Sequence, residues 1–169
     1  MTNRRDMLAL GILGGPALCA PLRAALAAGE CRPAAASDAV GAALLDKYAA
    51  AVNAHDTSSF PEIHTESYIQ HSGRSPSGLA AQIENFQRIF SVMPDLRMKV
   101  EDRIIAGDRV VARNTFSATH DHTVRGIPPT GKVFTFRTID IWRVENGKFA
   151  EHWDLTDTAE VMRQLSGER

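Results

Sequence analysis

The chain is predicted to fold as α+β, with helices packed on one face of a curved antiparallel sheet. Two observations carry this. Apolar residues recur at helical spacing before Pro94 and at strand spacing after it. The later strands follow one another through short turns, Gly107-Asp108 and Glu145-Asn146-Gly147, which favour hairpins. Helices first and long antiparallel strands afterwards point to α+β rather than α/β. Such a sheet can wrap its helices into a cone with an open end. A pocket there would be apolar with a few polar groups.

Each element has its own signal. Ser37-Asp38 offers a helix cap, and Val40, Leu44, Tyr48 and Val52 form the stripe of an amphipathic helix that runs out near Asn53-Ala54-His55-Asp56. Ser58 to Glu62 starts a short second helix, with Pro61 tolerated in its first turn. Tyr68-Ile69-Gln70-His71 and a Ser/Gly/Pro loop follow. Ser77 is a candidate cap for a third helix carrying Leu79, Ile83, Phe86 and Phe90 on one side, which Pro94 stops. Leu96–Ala106 and Arg109–His120 read as paired strands. Lys132–Val144 and Lys148–Thr156 read as a second pair, after a polar loop with Gly126, Pro128, Pro129 and Gly131. Asp157-Thr158-Ala159-Glu160 resembles a capping box opening a terminal helix.

The length of 169 residues fits one domain. A net charge of −1 gives no electrostatic footprint for nucleic acid and no polybasic patch for an anionic membrane surface. The first residues differ in kind. Arg4 and Arg5 precede an apolar stretch from Met7 to about Ala20, and Ala24-Ala25-Leu26-Ala27-Ala28 supplies a small-residue cleavage site. This order resembles a twin-arginine export signal. It predicts a signal peptide over 1–28, a flexible lead-in over 29–36, a domain over 37–169, and a periplasmic or secreted product. The alternative is retention as a membrane helix. A span needs about 20 apolar residues, and Pro16, Pro21 and Arg23 interrupt this one, so no stable membrane anchor is expected after cleavage. Cys31 would be the one thiol of the mature chain, leaving no internal disulfide.

The last hairpin carries the candidate chemistry. Gly147 suits a left-handed position, so Glu145-Asn146-Gly147 fits a three-residue loop with a bulge. That loop pairs Val144 with Lys148, Asp140 with His152, and Thr138 with Asp154. Alternation then puts Phe134, Phe136, Thr138, Asp140, Trp142, His152 and Asp154 on one face. A two-residue Asn-Gly loop would slip the pairing by one and put Asp140 on the face of Trp153. The bulged version is preferred because it gathers the ionisable groups. Two carboxylates and an imidazole among phenylalanines suit proton transfer to and from a carbon acid; the alternative is a solvated face with ordinary surface charges. Asp154, Asp140 and His152 are the catalytic candidates. Phe136, Thr138 and Trp142 share their face and are candidate substrate contacts. His71 and Tyr68 are candidate hydrogen-bonding groups of the pocket, with Tyr68 better suited to the core. His120, Asp121 and His122 suggest a metal at first sight, but no second ligand cluster accompanies them and a site needs three or four ligands. No metal is assigned.

Several segments together resemble the SnoaL-like polyketide (ester) cyclase family of the nuclear transport factor 2-like superfamily, the cystatin-like α+β barrel. They are Ala51-Val52-Asn53-Ala54-His55-Asp56, Tyr68-Ile69-Gln70-His71, Pro94-Asp95-Leu96, Gly107-Asp108-Arg109-Val110-Val111, Thr119-His120, Gly126-Ile127-Pro128-Pro129-Thr130-Gly131-Lys132, and Arg143-Val144-Glu145-Asn146-Gly147-Lys148 with Glu151-His152-Trp153-Asp154. The resemblance implies a cone of helices on a curved sheet, a homodimer, no metal or organic cofactor, and an intramolecular aldol condensation with an aspartate on the last strand as general acid/base. Asp154 matches that aspartate, and Thr138 and Asp140 match pocket polar positions. The sequence departs from the family at Ser72-Gly73 and at Ala118-Thr119-His120-Asp121-His122, both near the expected pocket mouth. His120 in that segment is a further candidate substrate contact.

Three functions fit. The first is an enzyme in which Asp154 removes a proton next to a carbonyl of a small hydrophobic substrate, leading to cyclisation, isomerisation or dehydration. The second is an exported carrier of a small hydrophobic ligand. The third is a scaffold using the cone for dimerisation alone.

Overall fold

The computed structural model describes residues 36–167. The segment expected to be an export signal, both cysteines and the expected lead-in before Ala36 lie outside them. Among the described residues no helix is long and apolar enough to cross a membrane.

The order is α1 (Ala36–Ala54), α2 (Phe60–Ile63), β1 (His64–Gln70), α3 (Leu79–Val92), β2 (Arg97–Ala106), β3 (Arg109–Thr119), β4 (Val133–Glu145), β5 (Lys148–Thr156) and α4 (Thr158–Ser166). The five strands form one curved, unclosed sheet in the order β1-β5-β4-β3-β2, so β1 and β2 are its edges. The α+β expectation holds. Strand β1 is an addition: His64 and Tyr68 are its buried residues, too few for a visible alternation, and it runs parallel to β5 while the other pairs are antiparallel.

Helix α1 lies against β2 and β3. Leu44, Leu45, Tyr48 and Val52 are buried there, while Val40, expected on the same stripe, is exposed in the first turn of the helix. The Asn53-Ala54-His55 segment fastens the helix end to β2. The Asn53 amide donates to the Met98 carbonyl at 2.9 Å and accepts from the Met98 N–H at 2.8 Å. The His55 ring bonds the Leu96 carbonyl at 2.8 Å and stacks on Phe90. These family-motif residues are structural. Ser77 does not cap α3, because Gly78 takes the cap position and the Ser77 hydroxyl accepts from the Gln70 N–H instead. Only one half of the expected α4 capping box forms: the Asp157 carboxylate accepts from the Glu160 N–H, but the Asp157 N–H donates to the Arg137 carbonyl and the Glu160 carboxylate accepts from Arg163 and Gln164.

The β4–β5 hairpin corrects the expected pairing. Glu145 pairs with Lys148 across a two-residue Asn146-Gly147 turn, both residues having positive φ (51° and 74°). That is the type I′ geometry whose twist matches the flanking strands. A bulge then follows: Val144 pairs with Phe149 and Arg143 with Glu151, so Ala150 is the extra residue. Phe149 and Ala150 are consecutively buried, which breaks the alternation. Beyond it Asp140 faces Asp154, Trp142 faces His152 and Thr138 faces Thr156. The short turn and the bulge each shift parity by one, and together they restore it. The shared face of Asp140, His152 and Asp154 therefore stands, but Asp140 opposite His152 and Thr138 opposite Asp154 do not.

Candidate functional site

The concave face of the sheet and the helices above it enclose a cavity of about 540 Å³. Its apolar wall includes Phe116, Phe134 and Phe136. The Phe116 and Phe136 rings stack at 4.8 Å with an interplanar angle of 6°. Its polar side comes from the strands: Gln70 from β1, His152 and Asp154 from β5, Thr138 and Asp140 from β4. Asn114 of β3 supports this row from beneath.

The hydrogen bonds assign distinct states to the two carboxylates. Asp140 is buried and its oxygens are committed. Oδ2 accepts from the Asn114 amide at 2.7 Å and from the Thr138 hydroxyl, and Oδ1 meets His152 Nε2 at 3.0 Å. The other ring nitrogen, His152 Nδ1, lies 2.9 Å from Gln70 Nε2. The Gln70 oxygen accepts the Ser72 N–H at 3.2 Å, which turns its NH₂ toward the histidine. Nδ1 is then the acceptor, and the ring carries its proton on Nε2, donated to Asp140. The ring is held flat between Trp142, stacked at 4.9 Å and 6°, and Tyr68 at 6.4 Å and 27°.

Asp154 differs. Its Oδ2 is ion-paired with Arg74, and the side chain is 4% exposed. Its Oδ1 is buried and accepts no hydrogen bond among the described residues; His152 Nδ1 stands 4.0 Å away. A carboxylate oxygen with an unused lone pair beside an apolar cavity is the arrangement a general base needs. Burial, and then the Asp140 charge, raise the Tyr48 and Tyr68 phenols well above their usual range, so both stay protonated.

The expected site residues divide. Asp140, His152, Asp154, Thr138 and Phe136 meet in the cavity lining. Tyr68, Trp142, His71 and His120 do not line it. Tyr68 and Trp142 are buried and back the His152 ring instead of lining the cavity. His71 lies on the outer face, stacked on Trp153 at 4.4 Å and bonded to Glu151 at 2.8 Å. Strand alternation sends Gln70, not His71, inward beside Tyr68. His120 is fully buried, bonded to Thr130 at 3.1 Å, and its backbone carbonyl accepts from Thr130 and Gly131, so it anchors the 124–132 loop. Among the described residues no group of three His, Cys, Asp or Glu side chains is placed to hold a metal. The sequence reading missed Gln70, Asn114, Arg74 and Tyr48. Asn114 left a signal: it interrupts the inward series Val110, Ala112, Phe116 and Ala118 with an amide.

A curved, unclosed sheet, helices over its concave face and a polar row on the last strands define a nuclear transport factor 2-like pocket protein. The family model for SnoaL-like polyketide cyclases matches residues 42–165. The chain belongs to that family. TsrD from Streptomyces laurentii is 31% identical over 75% of this chain and 95% of its own, with a TM-score of 0.70. AclR from Streptomyces galilaeus is 26% identical over 79% and 89%, with a TM-score of 0.70. A SnoaL-like polyketide cyclase from Agrobacterium tumefaciens is 22% identical over 74% and 97%, with a TM-score of 0.67, a likeness of fold. No curated protein matches the sequence.

Proposed function

We propose that this SnoaL-like protein is a cofactor-independent enzyme that abstracts a proton next to a carbonyl of a small hydrophobic substrate. Asp154 is the general acid/base. The observation that carries this reading is the buried, unpartnered Asp154 Oδ1 at the edge of an apolar cavity. Asp140 and His152 are positioning residues, held by Asn114, Thr138 and Gln70, that keep the polar floor rigid behind it. The carbanion so formed can close a ring in aldol fashion, or be reprotonated elsewhere in an isomerisation.

The test uses 1-tetralone as a bicyclic ketone probe. Proton NMR in D₂O follows deuterium exchange at the carbon beside its carbonyl. The wild type is expected to accelerate exchange, and Asp154→Asn to lower that acceleration by about 10²–10⁴-fold while the probe still binds. Equal exchange rates in the two proteins would sink the assignment. Binding with no exchange by the wild type would favour the carrier.

We further propose that the chain is exported, on the twin-arginine order of its first residues. It is also proposed to be a homodimer, supported by the outer sheet face, where Val133, Ile139, Ile141 and Leu155 are exposed.

A further inference from the structure

The cavity carries its charges in two tiers. Asp140 and Asp154 lie at the buried floor, and Arg74, Arg88 and Arg125 line the exposed mouth. Arg74 is occupied by its ion pair with Asp154. Arg88, on α3, bonds only a neutral partner, the Asn85 amide oxygen at 2.7 Å. Among the described residues neither Arg88 nor Arg125 is ion-paired.

Arg125 is presented by an unusual piece of backbone. Val124 and Ile127 pair across a two-residue turn whose residues, Arg125 (φ 52°) and Gly126 (φ 82°), are both left-handed. That conformation disfavours most side chains other than Gly, Asn and Asp. The chain nevertheless holds a guanidinium there, at the rim of the cavity. Burial first, and then the Arg125 charge, lower the pKa of Arg74, so the two cations sense each other across the mouth. Three arginines line the cavity against two aspartates. A concave mouth with a surplus of one sign focuses its field on an incoming ligand. One arginine in excess of the aspartates suits a monoanion, and a guanidinium without an ion pair, as on Arg88 and on Arg125, is a fork that binds carboxylate oxygens.

We propose that Arg88 and Arg125 form a carboxylate subsite, and that the ligand of this cavity is an apolar molecule bearing one acid group. This rests on the reading of the cavity as the ligand site. The acid group stays at the mouth, and the apolar body lies against Phe116 and Phe136, which sets its carbon skeleton before Asp154 Oδ1.

Two fluorescent probes with the same body test it: dansylglycine, which has the carboxylate, and dansylglycinamide, which lacks it. At low salt the acid is expected to bind about tenfold tighter than the amide, and added salt to narrow the gap. Arg88→Gln and Arg125→Gln should each remove most of that preference and leave amide binding unchanged. Arg125→Lys should restore part of it. Equal binding of the two probes to the wild type would overturn the subsite and leave the cavity as an apolar ligand site. Variants that weaken both probes alike would also overturn it, because the arginines would then serve packing. Binding of neither probe would overturn the subsite together with the ligand-site reading.

Discussion

His64 sits in a ring of aromatic side chains, with Tyr48, Phe60, Tyr68 and Phe149 around it and no exposure to solvent. Its Nδ1 has one long contact with the Phe60 carbonyl at 3.4 Å, and its Nε2 has no partner. Burial pushes its pKa down to about 3; the Phe60 carbonyl opposes the shift and His152 adds a little to it. The unfolded chain therefore takes up a proton near the ordinary histidine pKa while the folded chain resists. Stability is lost as pH falls from about 6.5 toward about 3. At ~1.4 kcal/mol per pH unit, His64 alone accounts for roughly 2–3 kcal/mol between pH 7 and pH 4.5. Urea unfolding of His64→Phe should show a pH profile flatter than the wild type by that amount. Parallel profiles would place the acid sensitivity elsewhere. At this scale the charged site residues are legible in the sequence, because Asp140, His152 and Asp154 stand out among phenylalanines. Gln70 and Asn114 are neutral amides that draw notice only once each is seen to hold an ionisable neighbour.

Helix α1 lies so close to the sheet that one position admits no side chain. A Cβ on Gly41 would stand 2.9 Å from both Ile105 Cγ2 and Val110 Cγ2. Both neighbours are β-branched, stiff at χ1, and unable to swing away. Alanine normally favours a helix over glycine by about 1 kcal/mol. Here the overlap should outweigh that gain, and Gly41→Ala should destabilise the fold by about 1–2 kcal/mol, lowering Tm. A raised Tm would show that the helix can retreat from β2 and β3. The hairpin shows what element-level reading reaches and what it does not. Alternation placed the polar face correctly because parity is all it needs. The pairing was out of reach because it depends on two cancelling irregularities, the Asn146-Gly147 turn and the bulge at Ala150. The second is written in sequence only as the adjacent apolar pair Phe149-Ala150. Strand β1 stayed hidden for a different reason: only His64 and Tyr68 are buried in it, too few for a visible alternation.

For the whole molecule, the exposed outer sheet face is the prominent feature. Leu155 is 74% exposed and Val133 71%, and Ile139 sits opposite Leu155 across the β4–β5 ladder. Apolar side chains gathered on one sheet face commonly mark an interaction surface. Sedimentation should find the wild type dimeric and Leu155→Glu shifted to monomer with its secondary structure intact; a monomeric wild type would remove the dimer. The strand order has another consequence. Strand β1 is made early, yet its sole neighbour in the sheet is β5, and Gln70 bonds His152 across that junction. At about 5–20 residues per second, roughly 4–17 s of synthesis separate the two halves of the contact. A nascent chain can build α1, α2, α3 and the β2–β3 hairpin during that interval, but Gln70 has no imidazole to orient until β5 arrives. The site is therefore a timestamp of completed synthesis: a ribosome stalled before β5 holds a chain with most of its core residues made but without Phe149, His152 and Asp154.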